Sequence, residues 1–484
     1  MTPDTVEMVA LDPAELAYPA PWEPTRPIVR RPVPLSVPTA AAESVVARAR
    51  PRLGAEARTA LRDSWRVLWL SRVLVWVSGI VAVLILGPKT HTSAFDPPGV
   101  TSGFGWIVDR LIAPAVRWDS AWYLSIAEHG YRSGVAAASS RAAFFPLYPM
   151  LVGGLGRLGI PLVASGMLIS FTAFGVSLFL LHRLTTLELS RSHVINRAAI
   201  PEAARLVVGL VAFFPMSFFF SAVYSESLYL ALSLGVFWSA RHGRWAIAGA
   251  LGALAAATRS AGFVLVVPLV LLYLYGPRED RPPLVVAGRP RWWPRYAVRR
   301  DALWVGLVPL GLLLYMGYFA LEGGGALVPF HAQAVWDRSF AGPVTTIWQG
   351  TVAAFDGLRQ ALSLQSSHPY FTAGHGNPLI GAQHNIVLFL FLLAAIPAVI
   401  GVLRTLPFAY GAYVLAALAM PLSYPVSYQP LMSLPRFLAV LFPLFMWGAA
   451  RLATRPRLRA PVFGLCSVCL LFFVAQFATW HWVA

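Results

Sequence analysis

A handful of short stretches in this chain carry ionisable side chains where the surrounding residues are almost entirely apolar. They are Arg117 and Asp119 of RWDS, Glu128 and His129 just after, Glu226 of YSES, Arg259 of TRSAG, His331 with Asp337 and Arg338 of HAQAVWDR, and Arg436 of SLPRF. Charges are costly in such surroundings and tend to be functional. A carboxylate can take the proton of an attacking hydroxyl, and arginines can bind a departing phosphate. The set therefore suits displacement of a phosphate from an electrophilic carbon, with no metal ion or cofactor required. No H-E-x-x-H, G-x-S-x-G, P-loop or G-x-G-x-x-G stands in a suitable context.

Each residue also has a plainer explanation. Asp119 is as well placed to N-cap the helix that follows as to act on a substrate, since Asp is favoured at helix starts. Glu226 reads better as a first-turn acid, favourable against the helix dipole. Arginines at span ends commonly snorkel to lipid headgroups. Arg259 and Arg436 fall instead on an arginine-poor face, which raises the functional reading for both. His331 and Asp337 lie in a loop where solvation suffices. Trp118, Trp122, Phe144, Phe145 and Tyr148 read as interface anchors.

The elements that must position these groups are membrane helices. Of 484 residues, 57% are hydrophobic and 12% charged, against about 25% charged in a soluble domain. The net charge of +17 is almost all arginine, with Lys89 the one lysine. It clusters between apolar runs rather than on one surface, so it reads as a topology signal and excludes nucleic acid as a partner. Cys466 and Cys469 form a C-x-x-C inside the last apolar run, where small residues on a buried helix explain them better than a redox motif. Residues 1–62, rich in proline, alanine and arginine, read as a disordered basic cytoplasmic tail without a cleavable signal peptide. Residues 63–484 read as one catalytic membrane domain.

About eleven spans are expected near 68–87, 162–181, 206–223, 224–240, 245–257, 261–276, 302–320, 386–403, 407–422, 437–450 and 461–482. With the tail inside, every cytoplasmic connection is basic, as basic residues near helix ends are retained there. The outside connections carry far fewer arginines, although two of them, about 88–160 and 323–385, are the longest in the chain and therefore functional candidates. The first holds RWDSAWYLSIAEHGY, read as an interfacial helix on aromatic anchors, and AFFPLYPMLV, too proline-broken to span. All the charges above fall on that outside face.

RWDSAWYLSIAEHGY, AFFPLYPMLV, FFPMSFFFSAVYSESLYLAL, ATRSAGFVLVVPL and SLPRFLAVLFPLF, in that order, resemble the PIG-V family. That family comprises the second mannosyltransferase of GPI-anchor synthesis and bacterial relatives. The likeness runs from about residue 65 to the end, and its most specific block is the tryptophan-aspartate loop. It implies a multi-pass GT-C glycosyltransferase of the plasma membrane, taking mannose from polyprenyl-phosphate mannose on the extracytoplasmic side. By similarity Asp119 is the general base of a single-displacement inversion, and Arg259 and Arg436 are inferred for the donor phosphate. Arg117, Trp118, Glu226 and His331 complete the candidate donor- and acceptor-binding set. The arginine-rich composition suggests a high-GC bacterium, so a mannolipid, a glycan or a protein stands as acceptor. The rival is a transporter or flippase for a lipid-linked sugar, although no internal repeat is visible. A non-catalytic scaffold ranks below both.

Overall fold

The computed structural model describes residues 39–87, 96–131, 140–192, 195–284, 290, 293–363 and 378–483. Two units divide the chain, Met1–Ala55 and Glu56–Ala484. The described part of the first is the beginning of the helix Thr39–Leu86. The tail expected to be disordered to residue 62 is therefore helical from Thr39 onward, while residues 1–38 lie outside the described residues. Alanine, leucine, glutamate and arginine dominate that stretch, and their helix propensity prevails over the polar composition.

Among the described residues the second unit is all helix, with isolated bridges in place of strands. Each expected apolar segment holds a helix or a pair of helices. Four are long and apolar enough to cross a membrane: Gly54–Leu86, Leu162–Arg191, Leu379–Thr405 and Pro456–Ala478. Arg300–Leu307 and Leu310–Leu321, bent by 46° at their junction, make a fifth if counted together. The chain is a multi-pass membrane protein, and four or five of its helices among the described residues reach across by length and composition alone. The rest are cut short by breaks. Ile200–Ala212 ends where FFPMS begins, and its 13 residues reach about 20 Å, short of a hydrocarbon core of about 30 Å.

Large apolar side chains on the outermost helices face outward, among them Leu70 and Leu84 on the first, Leu313 and Leu314 on Leu310–Leu321, and Leu465 and Phe472 on Arg459–Ala478. Such a display suits lipid rather than water. Inside, Leu162–Arg191 packs on Ile200–Ala212 and on Glu226–Arg241, which in turn packs on Trp245–Thr258. Small residues allow the closest approaches. A Cβ at Gly249 would lie 2.0 Å from the Trp304 carbonyl oxygen, and one at Gly311 would lie 1.9 Å from that of Ala253.

Within the two long connections the chain forms Trp106–Ile112, Ser120–His129, Leu147–Arg157, Val328–His331 and Pro343–Ser363. The aromatic residues read as interface anchors are instead packed inside the protein. Tyr148 is fully buried, Phe145 and Phe144 are 5% and 9% exposed, and Trp122 stacks on Phe144 at 5.8 Å. Trp118 precedes the helix with a positive φ of 53° and meets Trp480 and Trp482 edge-on. Aromatic residues beside polar ones look alike in sequence whether they meet a bilayer or the rest of the fold.

Candidate active site

The Tyr224 hydroxyl bridges the two ends of the RWD turn. Tyr224 Oη donates to the Arg117 carbonyl at 3.0 Å and accepts from the Asp119 N–H at 3.1 Å. A bulky residue in the left-handed region costs on the order of 1–3 kcal/mol and persists only where its surroundings enforce it. Here the Tyr224 hydroxyl and the edge-on rings of Trp480 and Trp482 enforce Trp118. Tyr224 is positioned in turn by its neighbours. Its carbonyl accepts from Ser170 Oγ at 3.3 Å, Ser170 meets the Tyr148 hydroxyl at 2.9 Å, and the preceding Val223 N–H donates to the Ala115 carbonyl at 2.9 Å.

Asp119 occupies the N-cap position of Ser120–His129, yet its side chain makes no capping hydrogen bond. Its Oδ2 accepts from Arg436 Nη1 at 2.8 Å instead. The same guanidinium donates through Nε and Nη2 to Glu226 Oε1, at 3.1 and 2.8 Å. Arg259 Nη1 lies 3.0 Å from that oxygen as well. Glu226 opens Glu226–Arg241 and is fully buried, and its Oε2 has no hydrogen-bond partner among the described residues. Two carboxylates and two guanidiniums thus form one cluster, three of whose members lie on the ends of three different helices. Arg436 is flanked by the faces of Phe219 and Tyr224 at 4.7 and 4.9 Å, and Arg259 lies over Phe437 at 5.4 Å. Those faces suit guanidinium, which is weakly hydrated and stacks well.

Access is what separates the members. The Asp119 side chain is 16% exposed, against 0% for Glu226. A small open recess of about 10 Å³ adjoins the Arg436 guanidinium, lined by Trp118, Phe219, Tyr224, Arg436, Phe477, Trp482 and Val483. That free volume is close to what one water occupies. Asp119 can accept a proton through its oxygen not held by Arg436.

The other candidates lie apart from the cluster. The Arg117 guanidinium turns away, donating to the carbonyls of Ala478 and Val116 at 3.0 and 2.9 Å and lying over Trp480 at 4.8 Å. Burial pushes it down to about 10, while Asp96 and Asp109 oppose that shift. It fastens the turn rather than reaching a ligand. His331 ends a four-residue helix and is exposed. Glu128 and His129, exposed and 3.6 Å apart, lie at the far end of Ser120–His129. Asp337 binds Ser427, accepting from its N–H at 3.3 Å. Tyr224, Phe219 and the Trp480–Trp482 segment were not singled out from sequence as site residues. Tyr224 stood in the quoted YSES, but its link to RWD spans 107 residues. Among the described residues no group of three or more His, Cys, Asp or Glu could hold a metal ion.

Residues 64–274 match the family model described as Mannosyltransferase (PIG-V). The GPI alpha-1,6-mannosyltransferase 2 of Rattus norvegicus is 32% identical over 187 residues, covering 38% of this chain and 37% of its own length. That of Homo sapiens is 32% identical over 191 residues, covering 37% and 36%. The GPI mannosyltransferase pigv-1 of Caenorhabditis elegans is 29% identical over 190 residues, covering 35% and 26%. The chain thus matches little more than a third of the length of these relatives at most. Among solved structures, the Archaeoglobus fulgidus oligosaccharyltransferase tethered with an acceptor peptide aligns with 85% of this chain and 55% of its own, at 13% identity and a TM-score of 0.37. Asp119, Glu226 and Arg259 fall within the matched family stretch, and Arg436 falls outside it.

Proposed function

From a chain that is PIG-V-like over residues 64–274, we propose a membrane mannosyltransferase. It takes mannose from polyprenyl-phosphate mannose and transfers it to a lipid, glycan or protein acceptor on the extracytoplasmic face. The observation that carries this reading is the Asp119 carboxylate, partly exposed and held through one oxygen by Arg436, which itself lines an aromatic recess. The acceptor oxygen forms a bond to the anomeric carbon as the bond from that carbon to the phosphate oxygen breaks. The electron pair leaves with the polyprenyl phosphate, and the hydroxyl proton passes to Asp119. A single displacement inverts the anomeric centre, giving an alpha-mannoside from a beta-linked donor. Arg436 fixes the base in place, and Glu226 with Arg259 fixes Arg436. The extracytoplasmic assignment is supported by the scarcity of arginine in the connections that bear these residues.

The test is transfer of labelled mannose by the reconstituted chain to a membrane-lipid extract, with Asp119→Asn beside wild type. General-base catalysis contributes about 10²–10⁴-fold, so the variant should lose about that much while retaining its thermal midpoint. Equal transfer by both would remove Asp119 from the chemistry. Movement of the donor across the bilayer without transfer would point to a flippase.

A further inference from the structure

The charges of Asp119, Glu226, Arg259 and Arg436 sum to zero, and both guanidiniums already face carboxylates. A departing phosphate gains negative charge, and the cluster offers it no net positive charge. Arg117 is fastened to carbonyls behind the turn. Arg141 is engaged with Gly130 and Ser125 at the far end of Ser120–His129.

Arg338 differs from all of these. Trp336, two residues before it, packs edge-on against Trp122 at 5.8 Å, one turn of helix from Asp119. Its own backbone is paired with Val426, and its Nη1 donates to the Tyr424 carbonyl at 3.0 Å. The neighbouring Asp337 is turned onto Ser427. No carboxylate forms an ion pair with Arg338 among the described residues.

We propose that Arg338 is the anion-binding group of this site, taking the phosphate of a polyprenyl-phosphate ester beside the Asp119–Arg436 pair. Burial and the charge of Arg436 push the Arg338 guanidinium down to about 10, and Asp119 pulls it back up, so both members of the pair act on it. An anion arriving there relieves the repulsion between the two arginines. The inference rests on the transferase reading. As the bond from the anomeric carbon to oxygen breaks, its electron pair turns a phosphodiester into a monoester with added negative charge, and Arg338 offsets that charge. The proton goes to Asp119, so no other reactant is needed.

The experiment uses the full chain in phosphatidylcholine nanodiscs, with a synthetic polyprenyl phosphate as the binding probe and mannose transfer measured in parallel. R338Q should weaken binding of the probe by about tenfold or more, as expected for loss of a charged hydrogen bond, and should raise the donor KM. R338K should recover most of the binding, and the thermal midpoints of all three proteins should agree. Probe binding by R338Q as tight as that of wild type, with wild-type transfer intact, overturns the inference and leaves the transferase reading standing. Failure of R338K alongside a lowered midpoint assigns Arg338 to structure and also overturns it. Loss of affinity for phosphatidylglycerol vesicles alone makes it a headgroup anchor, again overturning it. A wild-type protein that neither binds the probe nor transfers mannose sinks both readings.

Discussion

The helix Glu226–Arg241 carries a buried ion pair at each end, and the two ends differ in what they leave open. Its 16 residues set the clusters about 22 Å apart at 1.5 Å per residue. At the C-terminal end Arg241 Nε binds Glu188 Oε1, the Tyr410 hydroxyl donates to the same oxygen at 2.9 Å, and Arg241 Nη1 donates to the Pro277 carbonyl at 2.9 Å. Those side chains are 0% and 1% exposed. At the N-terminal end Glu226 is as deeply buried, but its partner Arg436 extends the pairing outward to Asp119 and the aromatic recess. A buried ion pair alone therefore marks packing. It marks a site when the pairing continues to a group that a ligand can reach.

Breaking each end should expose this difference. Removing one partner of a buried pair costs roughly 3–5 kcal/mol, so Glu226→Gln and Glu188→Gln should each lower the thermal midpoint strongly. Per folded molecule, Glu226→Gln should then lose transfer by about 10²-fold or more, because Arg436 no longer fixes the base. Glu188→Gln should stay within about threefold of wild type, since the surviving fold retains its site. Equal activity losses at matched folded amounts would abolish the distinction. The double replacement Glu188→Leu with Arg241→Met should recover stability, because a well-packed apolar pair can match a buried ionic one. A double variant less stable than either single one would argue against that account.

A smaller effect is expected at the support of the base. Tyr224→Phe removes the two hydrogen bonds that the Tyr224 hydroxyl makes to the RWD turn and should cost about 1–3 kcal/mol. It should lower kcat by about tenfold with little change in donor KM, since it displaces Asp119 and not the binding groups. A change confined to KM would place Tyr224 in binding. The smallest effect belongs to His331→Ala, a surface change expected to leave stability within about 0.5 kcal/mol and transfer unaltered. A large loss there would bring the second connection into the chemistry by a route other than Arg338.

How far the sequence could be read varied with the range of the interaction. The apolar segments were legible because hydropathy is a sum over neighbours, and each one holds a helix. The lengths of those helices were not, because proline-bearing breaks such as FFPMS divide runs that a sliding window joins. Asp119 was legible by residue type, while its choice between cap and site depended on Arg436, 317 residues away. Trp118 and Trp122 were misread because their partners, Trp480, Trp482, Phe144 and Trp336, are assembled by the fold. Arg259 and Arg436 were expected at a phosphate, and the fold adds that both face the Glu226 carboxylate. Spacing alone cannot count the counter-ions around a guanidinium.

By itself the sequence determined that this chain is a helical membrane protein with its carboxylates and arginines gathered in a few polar interruptions, and that the RWD turn is among them. Those properties follow from side-chain chemistry and local hydropathy, which need no partner. The tertiary structure decided which charges neutralise one another, which aromatic residues became walls, that Arg117 faces inward, and that Asp119 alone of the two carboxylates remains accessible. Pairing and access depend on distances between segments remote in the chain, and only closure of the helices around one another sets those distances.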